Sequence, residues 1–302
     1  MVYLFLGAII GESVIAVYRR VKHITREQSY PFRKKVTATV AILTAVIIVA
    51  GHINTYIPTV AEYSIDINKK SSIDTLRVVF ASDIHAGNLV GKKKIGILVD
   101  QINKLNPDIV IIAGDLFDRS VTMVTDKNIL DQMRSIHSKY GIHFAFGNHD
   151  YFDNSNKAQE LAESIGIKVL RDKTISIDGA FYLAGREDIG MGHRTDRVRR
   201  DLSDLFAGID RSRPVIVIDH QPKAIEESIN NNADLVISGH THNGQFWPLN
   251  LFTGLIFQIS HGYKKIAGTH FIVSSGFGTW GPPVRNTGFT EVVCVDIRFT
   301  GK

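Results

Sequence analysis

Five times between Arg77 and His242, a short apolar run stops at an aspartate, asparagine or histidine. Val78-Val79-Phe80-Ala81 leads to Ser82-Asp83-Ile84-His85, and Ile109-Val110-Ile111-Ile112-Ala113 leads to Gly114-Asp115. His143-Phe144-Ala145-Phe146 leads to Gly147-Asn148-His149-Asp150, and Pro214-Val215-Ile216-Val217-Ile218 leads to Asp219-His220. Leu235-Val236-Ile237 leads to Gly239-His240-Thr241-His242. Short continuous apolar runs read as buried strands. Between them lie helical patterns: Ile95, Leu98, Val99, Ile102 and Leu105, closed by Pro107; then about Asn128 to Tyr140; then Ala158 to Ile165. Strand, loop and helix in repeated order predict an α/β domain with a largely parallel sheet. Shorter strands are expected at Lys168–Leu170, Ile175–Ile177, Phe181–Ala184, Phe271–Val273 and Glu291–Arg298, and helices at Arg194–Leu205, on the surface, and Lys223–Ile229.

The N-terminal part is built differently. Val36 to Ile57 carries no charge and is about long enough to cross a bilayer core, which predicts a transmembrane helix. Val2 to Tyr18 is also apolar, interrupted by Glu12. One carboxylate at a helix centre costs roughly 2.5–3.5 kcal/mol on insertion scales, which a second membrane helix can bear. A cleaved signal peptide fits poorly, because the positive charges follow the apolar run. Seven Lys or Arg lie between Arg19 and Lys35, opposed by Glu27 alone. The positive-inside rule puts that loop in the cytoplasm and everything after about Pro58 outside it. The expected organisation is a membrane anchor over 1–58, a tether over 59–75 and a globular domain over 76–302. The net charge of +5 is concentrated in the basic loop, so nucleic-acid binding is not expected. The single cysteine, Cys294, excludes an intramolecular disulfide and a thiolate metal cluster.

In open α/β sheets, ligands bind beyond the carboxyl ends of the strands. Asp83, His85, Asp115, Asn148, His220, His240 and His242 can therefore converge, although they are far apart in the chain. The set is oxygen- and imidazole-rich, which suits Mn, Fe, Zn or similar divalent ions. Seven donors are too many for one tetrahedral site. Two ions about 3.5–4 Å apart, bridged by one carboxylate, would use them all.

Taken in order, D-x-H, G-D, G-N-H-D, H and G-H-x-H make a specific pattern. On Asp83-Ile84-His85, Gly114-Asp115, Gly147-Asn148-His149-Asp150, His220 and Gly239-His240-Thr241-His242, the sequence resembles the calcineurin-like metallophosphoesterase superfamily, in its membrane-anchored bacterial form. The resemblance covers about Leu76 to Arg298. It implies two packed mixed β-sheets flanked by helices, and the hydrolysis of a phosphate ester, diester or pyrophosphate by metal-activated hydroxide. It assigns Asp83, His85 and His242 to one ion, Asn148, His220 and His240 to the other, and Asp115 to both. His149 resembles the family's catalytic histidine, with Asp150 orienting its ring; Asp150 reads equally well as a turn or helix-cap carboxylate. The chain departs from its relatives at Asn243, where glycine is common, and at Asp219, where serine is usual.

The stretch from Ser274 to Arg285 displays Phe277 and Trp280 among glycines and resembles the C-terminal segment of membrane-anchored members. Arg285 and Arg186 are candidate phosphate contacts. Phe277 and Trp280 are candidates for meeting a lipid chain, against the simpler reading that both pack their loop onto the sheet. His23, His52, His137, His143, His193 and His270 read as surface or loop residues, and His261 is ambiguous. The expected substrate is lipid-linked or membrane-associated. The rival is a metal-binding scaffold, or a protein that binds wall polymer without cleaving it; the full set of ligand residues argues against both.

Overall fold

The computed structural model describes residues 2–193, 195 and 197–301. The chain divides into two compact units after Ile53. The first is a helical hairpin of α1 (Val2–Lys22) and α2 (Tyr30–Asn54). Both helices are long and apolar enough to cross a membrane. Glu12, which interrupts the first apolar run, pairs with Arg33 of α2 at 2.5 Å. The carboxylate is thus partnered, as ionisable groups within apolar helices usually are. Tyr18 stacks on Phe32, with ring centroids 3.9 Å apart.

The second unit contains, among the described residues, twelve strands. They are β1 (Thr59–Ile67), β2 (Thr75–Ala81), β3 (Ile109–Ala113), β4 (Ile142–Ala145), β5 (Ile167–Val169) and β6 (Lys173–Ile177). The rest are β7 (Phe181–Gly185), β8 (Val215–Ile218), β9 (Leu235–Ser238), β10 (Gly262–Ile266), β11 (Thr269–Val273) and β12 (Glu291–Phe299). Its helices are α3 (Lys92–Lys104), α4 (Val121–Asp126), α5 (Ser155–Ser164), α6 (Leu202–Leu205), α7 (Ile225–Asn230) and α8 (Leu249–Ile256). One sheet has the order β1-β12-β2-β3-β4-β5 and the other β10-β11-β9-β8-β7-β6. β2 to β5 run parallel, and so do β7, β8, β9 and β11. Antiparallel pairings of β12 with β2, β6 with β7 and β10 with β11 make both sheets mixed.

The period-2 geometry of a strand decides the layers. In β2, Val78 and Phe80 share a buried layer with Ile111 of β3 and with Ile216 and Ile218 of β8. Their alternates, Val79 and Ala81, pack with Ile95, Leu98 and Val99 of α3. On the far side, Val215 and Val217 pack with Leu202, Leu205 and Ile225 of α6 and α7. Helices, sheet, sheet and helices thus stack in that order. The fold class is the expected one, α/β with two packed mixed sheets flanked by helices.

Some expectations need correction. Residues 59–75 are not a plain tether: Thr59–Ile67 pairs along its whole length with β12. The strand lies at a sheet edge and buries only Ile65 and Ile67 fully, so its apolar signal is weak. The helix expected over Asn128–Tyr140 is reduced to a 3-10 turn at Asp131–Ser135, and α4 ends before it at Asp126. Asn128, in the left-handed region at φ 48°, breaks it. Of Arg194–Leu205, only Leu202–Leu205 is helical, with both leucines buried; Arg194 and Asp196 lie outside the described residues. His143 and His270, read as surface or loop residues, are buried strand residues.

All five residues of β3 are buried. Ile111→Ala should therefore lower the unfolding free energy by about 2–5 kcal/mol. Denaturant unfolding of the detergent-solubilised chain would read this, and a near-neutral result would contradict the shared layer between the sheets.

Candidate metal centre

The loops that follow β2, β3, β4, β8 and β9 meet over one end of the two sheets. His220, after β8, donates from Nδ1 to the carbonyl of Ala113, the last residue of β3, at 2.8 Å. The His240 amide donates to both carboxylate oxygens of Asp83, at 3.1 and 3.0 Å. The backbone bends sharply to achieve this. Asp83, His85, Asp115, His240 and His242 have φ of 50°, 51°, 53°, 70° and 49°. Non-glycine residues held there cost of order 1–3 kcal/mol each, and such strain collects at functional sites. The amides of Asp83 and His85 are fixed by the carbonyls of Gly114 and Asp115, at 3.0 and 2.9 Å. Asn243 also sits at φ 47°, a conformation asparagine accepts, so its departure from glycine leaves the loop intact. Gly147 and Gly239 are needed for space: a Cβ on the first would overlap the Asp115 carboxylate, and on the second the Asp83 carboxylate.

Three groups of donors result, one of them His85, Asp118 and His149. Asp83, His85 and His242 place ligand atoms within 4.8 Å of one another, and so do Asp115, His220 and His240. His85 Nε2 and His242 Nε2 stand 3.1 Å apart, with Asp83 Oδ1 3.2 Å from the latter. Asp115 Oδ2 lies between these last two groups, 3.2 Å from His220 Nε2 and 3.8 Å from His85 Nε2. Asn148 lines the same cleft of about 420 Å³ with Asp115, His149, His240 and His242. The side-chain oxygen of Asn148 is buried without a hydrogen-bond partner, and His220 Nε2 faces the Asp115 carboxylate. Buried polar atoms are nearly always satisfied. An unsatisfied amide oxygen beside carboxylates and imidazoles in a thiolate-free set fits hard or borderline divalent cations.

The electrostatics agree. Burial pushes His85 down to about 4 and, together with His220 beside it, His240 down to about 3. Both imidazoles are neutral at neutral pH, the form that ligates metals. Burial opposes charge on Asp83 and Asp115, yet the surrounding histidines hold both well below the usual carboxylate range. Burial likewise opposes charge on His220, but Asp115 and Asp83 hold it well above its ordinary value. The two buried carboxylates call for a positive charge.

Around these groups the structure revises several expected roles. Asp150 does not touch the His149 ring. Its carboxylate accepts the amides of Asp115 (2.9 Å), Phe117 (3.0 Å) and Gly147 (2.7 Å), tying two ligand loops together. The partner of His149 is Asp118, whose carbonyl accepts from Nδ1 at 3.0 Å and whose carboxylate lies 3.7 Å away. The sequence offered a signal for it, a second aspartate three residues after Asp115 on the same loop. Arg285 is fully buried and gives its donors to the carbonyls of Ser275 (2.7 Å), Gly278 (2.7 Å) and His242 (3.3 Å). It props His242 from behind and cannot reach a phosphate. Arg186 is also buried, paired with Glu227 at 2.7 Å and Asp219 at 3.3 Å behind His220. Phe277 belongs to the core. Of the four candidate substrate contacts, Trp280 alone lines the cleft.

Because three backbone donors depend on Asp150, Asp150→Ala should destabilise the metal-free chain by about 1–3 kcal/mol for each amide left unsatisfied and buried. Thermal unfolding in chelator would register this; an unchanged midpoint would return Asp150 to a purely chemical role.

Residues 76–244 match the family model of the calcineurin-like phosphoesterases. A transmembrane protein with a metallophosphoesterase domain from Danio rerio is 33% identical over 285 residues, covering 88% of this chain and 63% of its own. The chain thus spans under two thirds of that relative's length. An uncharacterised metallophosphoesterase from Aquifex aeolicus is 30% identical over 253 residues, 83% of this chain and 96% of its own. Among solved structures, a dimetal phosphatase from Danio rerio aligns over 70% of this chain and 90% of its own, at 13% identity and a TM-score of 0.44, a likeness too low to transfer its metals. With the family model spanning more than half its length, and relatives at this identity, the chain belongs to the calcineurin-like phosphoesterases.

Proposed function

We propose that the protein is a membrane-anchored phosphoesterase working with two divalent ions on a lipid-linked or membrane-associated phosphate ester, diester or pyrophosphate. The observation that carries this is the pair of donor groups, Asp83, His85 and His242 beside Asp115, His220 and His240, next to a cleft lined by Asp115, Asn148, His240 and His242. Asp83, His85 and His242 would hold one ion, and Asn148, His220 and His240 the other, with Asp115 serving both. Mn, Fe and Zn all suit this set. Bound there, such ions lower the pKa of a water and offset charge on phosphoryl oxygens.

The chain's own residues supply the rest. The His149 amide donates to Asp115 Oδ1 at 2.8 Å, which fixes the histidine's backbone against the centre. Its Nδ1 proton is held by the Asp118 carbonyl, which leaves Nε2 to give a proton to a departing oxygen. The Ala113 carbonyl holds the proton of His220 on Nδ1 and so aims its Nε2 lone pair at the centre. Two apolar helices of spanning length support the membrane placement. The basic segment between Arg19 and Lys35 supports a cytoplasmic loop, two passes through the membrane and a catalytic domain outside the cytoplasm.

The test is hydrolysis of bis-p-nitrophenyl phosphate and an aryl phosphomonoester by the full chain in detergent. It should vanish on chelation and return with Mn, Zn or Fe. His149→Ala should lower kcat by about 100- to 10,000-fold while metal content stays the same. Asp115→Asn should lose both activity and bound metal. Bound metal without turnover on these esters or on lipid phosphates in vesicles would turn the reading to a binding scaffold.

A further inference from the structure

From Phe246 to Ser260 the chain carries no charged residue, yet little of it is inside. α8 has no buried residue. Leu251, Phe252, Leu255 and Ile256 are exposed by 58%, 56%, 84% and 71%, and Trp247 and Trp280 by 53% and 54%. Contiguous apolar surface of this kind marks an interaction site. It is also continuous with the metal centre, because Leu249, Phe252, Ile256 and Trp280 wall the cleft that Asp115, Asn148 and His149 line.

Several features point to a lipid bilayer as what covers it. The same chain carries two helices of membrane-spanning length, and four residues separate the end of the second from the start of β1. Tryptophan is enriched at bilayer interfaces, and both tryptophans of the chain lie on this patch. Lys223 Nζ lies 6.0 Å from the ring of Phe257, just past α8, where a cation can reach anionic headgroups. We infer that α8, with Trp247 and Trp280, inserts into the interface of a lipid bilayer and brings the phosphate of a membrane lipid to the cleft. The insertion rests on the exposed helix; delivery of a lipid phosphate rests on the phosphoesterase reading.

Trp247 and Trp280 are the only tryptophans in the sequence, so fluorescence reports directly on the patch. The full chain would be reconstituted into phosphatidylcholine–phosphatidylglycerol vesicles, with and without lipids brominated high on the acyl chain. Bromination should remove about half the tryptophan emission, as expected for rings at the interface. The single variants Trp247→Phe and Trp280→Phe should each retain the quenching. Leu251→Glu with Leu255→Glu should reduce it at least about twofold and open the rings to aqueous acrylamide, since charged side chains resist entry. Wild-type emission that ignores brominated lipid but yields to acrylamide would overturn the inference. Protection from both quenchers would also overturn it, by assigning the patch to a second copy or a protein partner. None of these readings needs turnover. A chain that is quenched by brominated lipid yet hydrolyses no ester would lose the phosphoesterase reading and keep the insertion.

Discussion

The site is held together by the carboxylate of Asp115. One oxygen accepts the amide of His149 at 2.8 Å, and the other lies 3.2 Å from His220 Nε2, so a single side chain ties the loop after β4 to the loop after β8. Its own amide is taken by Asp150, 2.9 Å away. Loops from both sheets thus lean on one buried anion, and the left-handed backbone at Asp83, His85, His240 and His242 is tolerated because so many bonds fix it. This explains why the arrangement calls for cations: remove the positive charge, and the core of the site is two carboxylates facing one another across histidines.

A second buried anion, Asp219, shows how a departure from the common pattern is absorbed. It replaces the usual serine beside His220. It is met by Arg199 at 2.5 Å and Arg186 at 3.3 Å, and Arg186 is itself held by Glu227. A buried charge of this sort is tolerable only when fully paired. The network fixes the loop that carries His220 without reaching the cleft, so the arginine read from the sequence as a phosphate contact is a support.

What the sequence revealed follows from how these signals arise. β3, β8 and β9 are buried on every residue, and unbroken apolar runs announce such strands. The motif residues were readable because their types and order are chemically specific. Of the four edge strands, β5 and β6 were legible, and β1 and β10 were not. β10, Gly-Tyr-Lys-Lys-Ile, has no fully buried residue, and β1 has only two. α8 was missed for the opposite reason: its residues are apolar but exposed, and periodicity arguments assume that apolar residues mark the inside. The roles of Asp118, Asp150 and Arg285 depend on which backbone groups lie within 3 Å or so, and neither composition nor spacing encodes that.

The order of strands in the first sheet bears on how the protein is made. β12 follows every other strand in sequence, yet it lies between β1 and β2 and pairs with both. β1 therefore has no partner in that sheet until more than two hundred residues of later chain have been synthesised. Non-local pairings of this kind are slow and leave strand edges open. Throughout that interval β1 trails α2 as an unpaired strand, a natural substrate for chaperones and proteases. The quality-control risk to this protein falls in biosynthesis, before β12 closes the sheet.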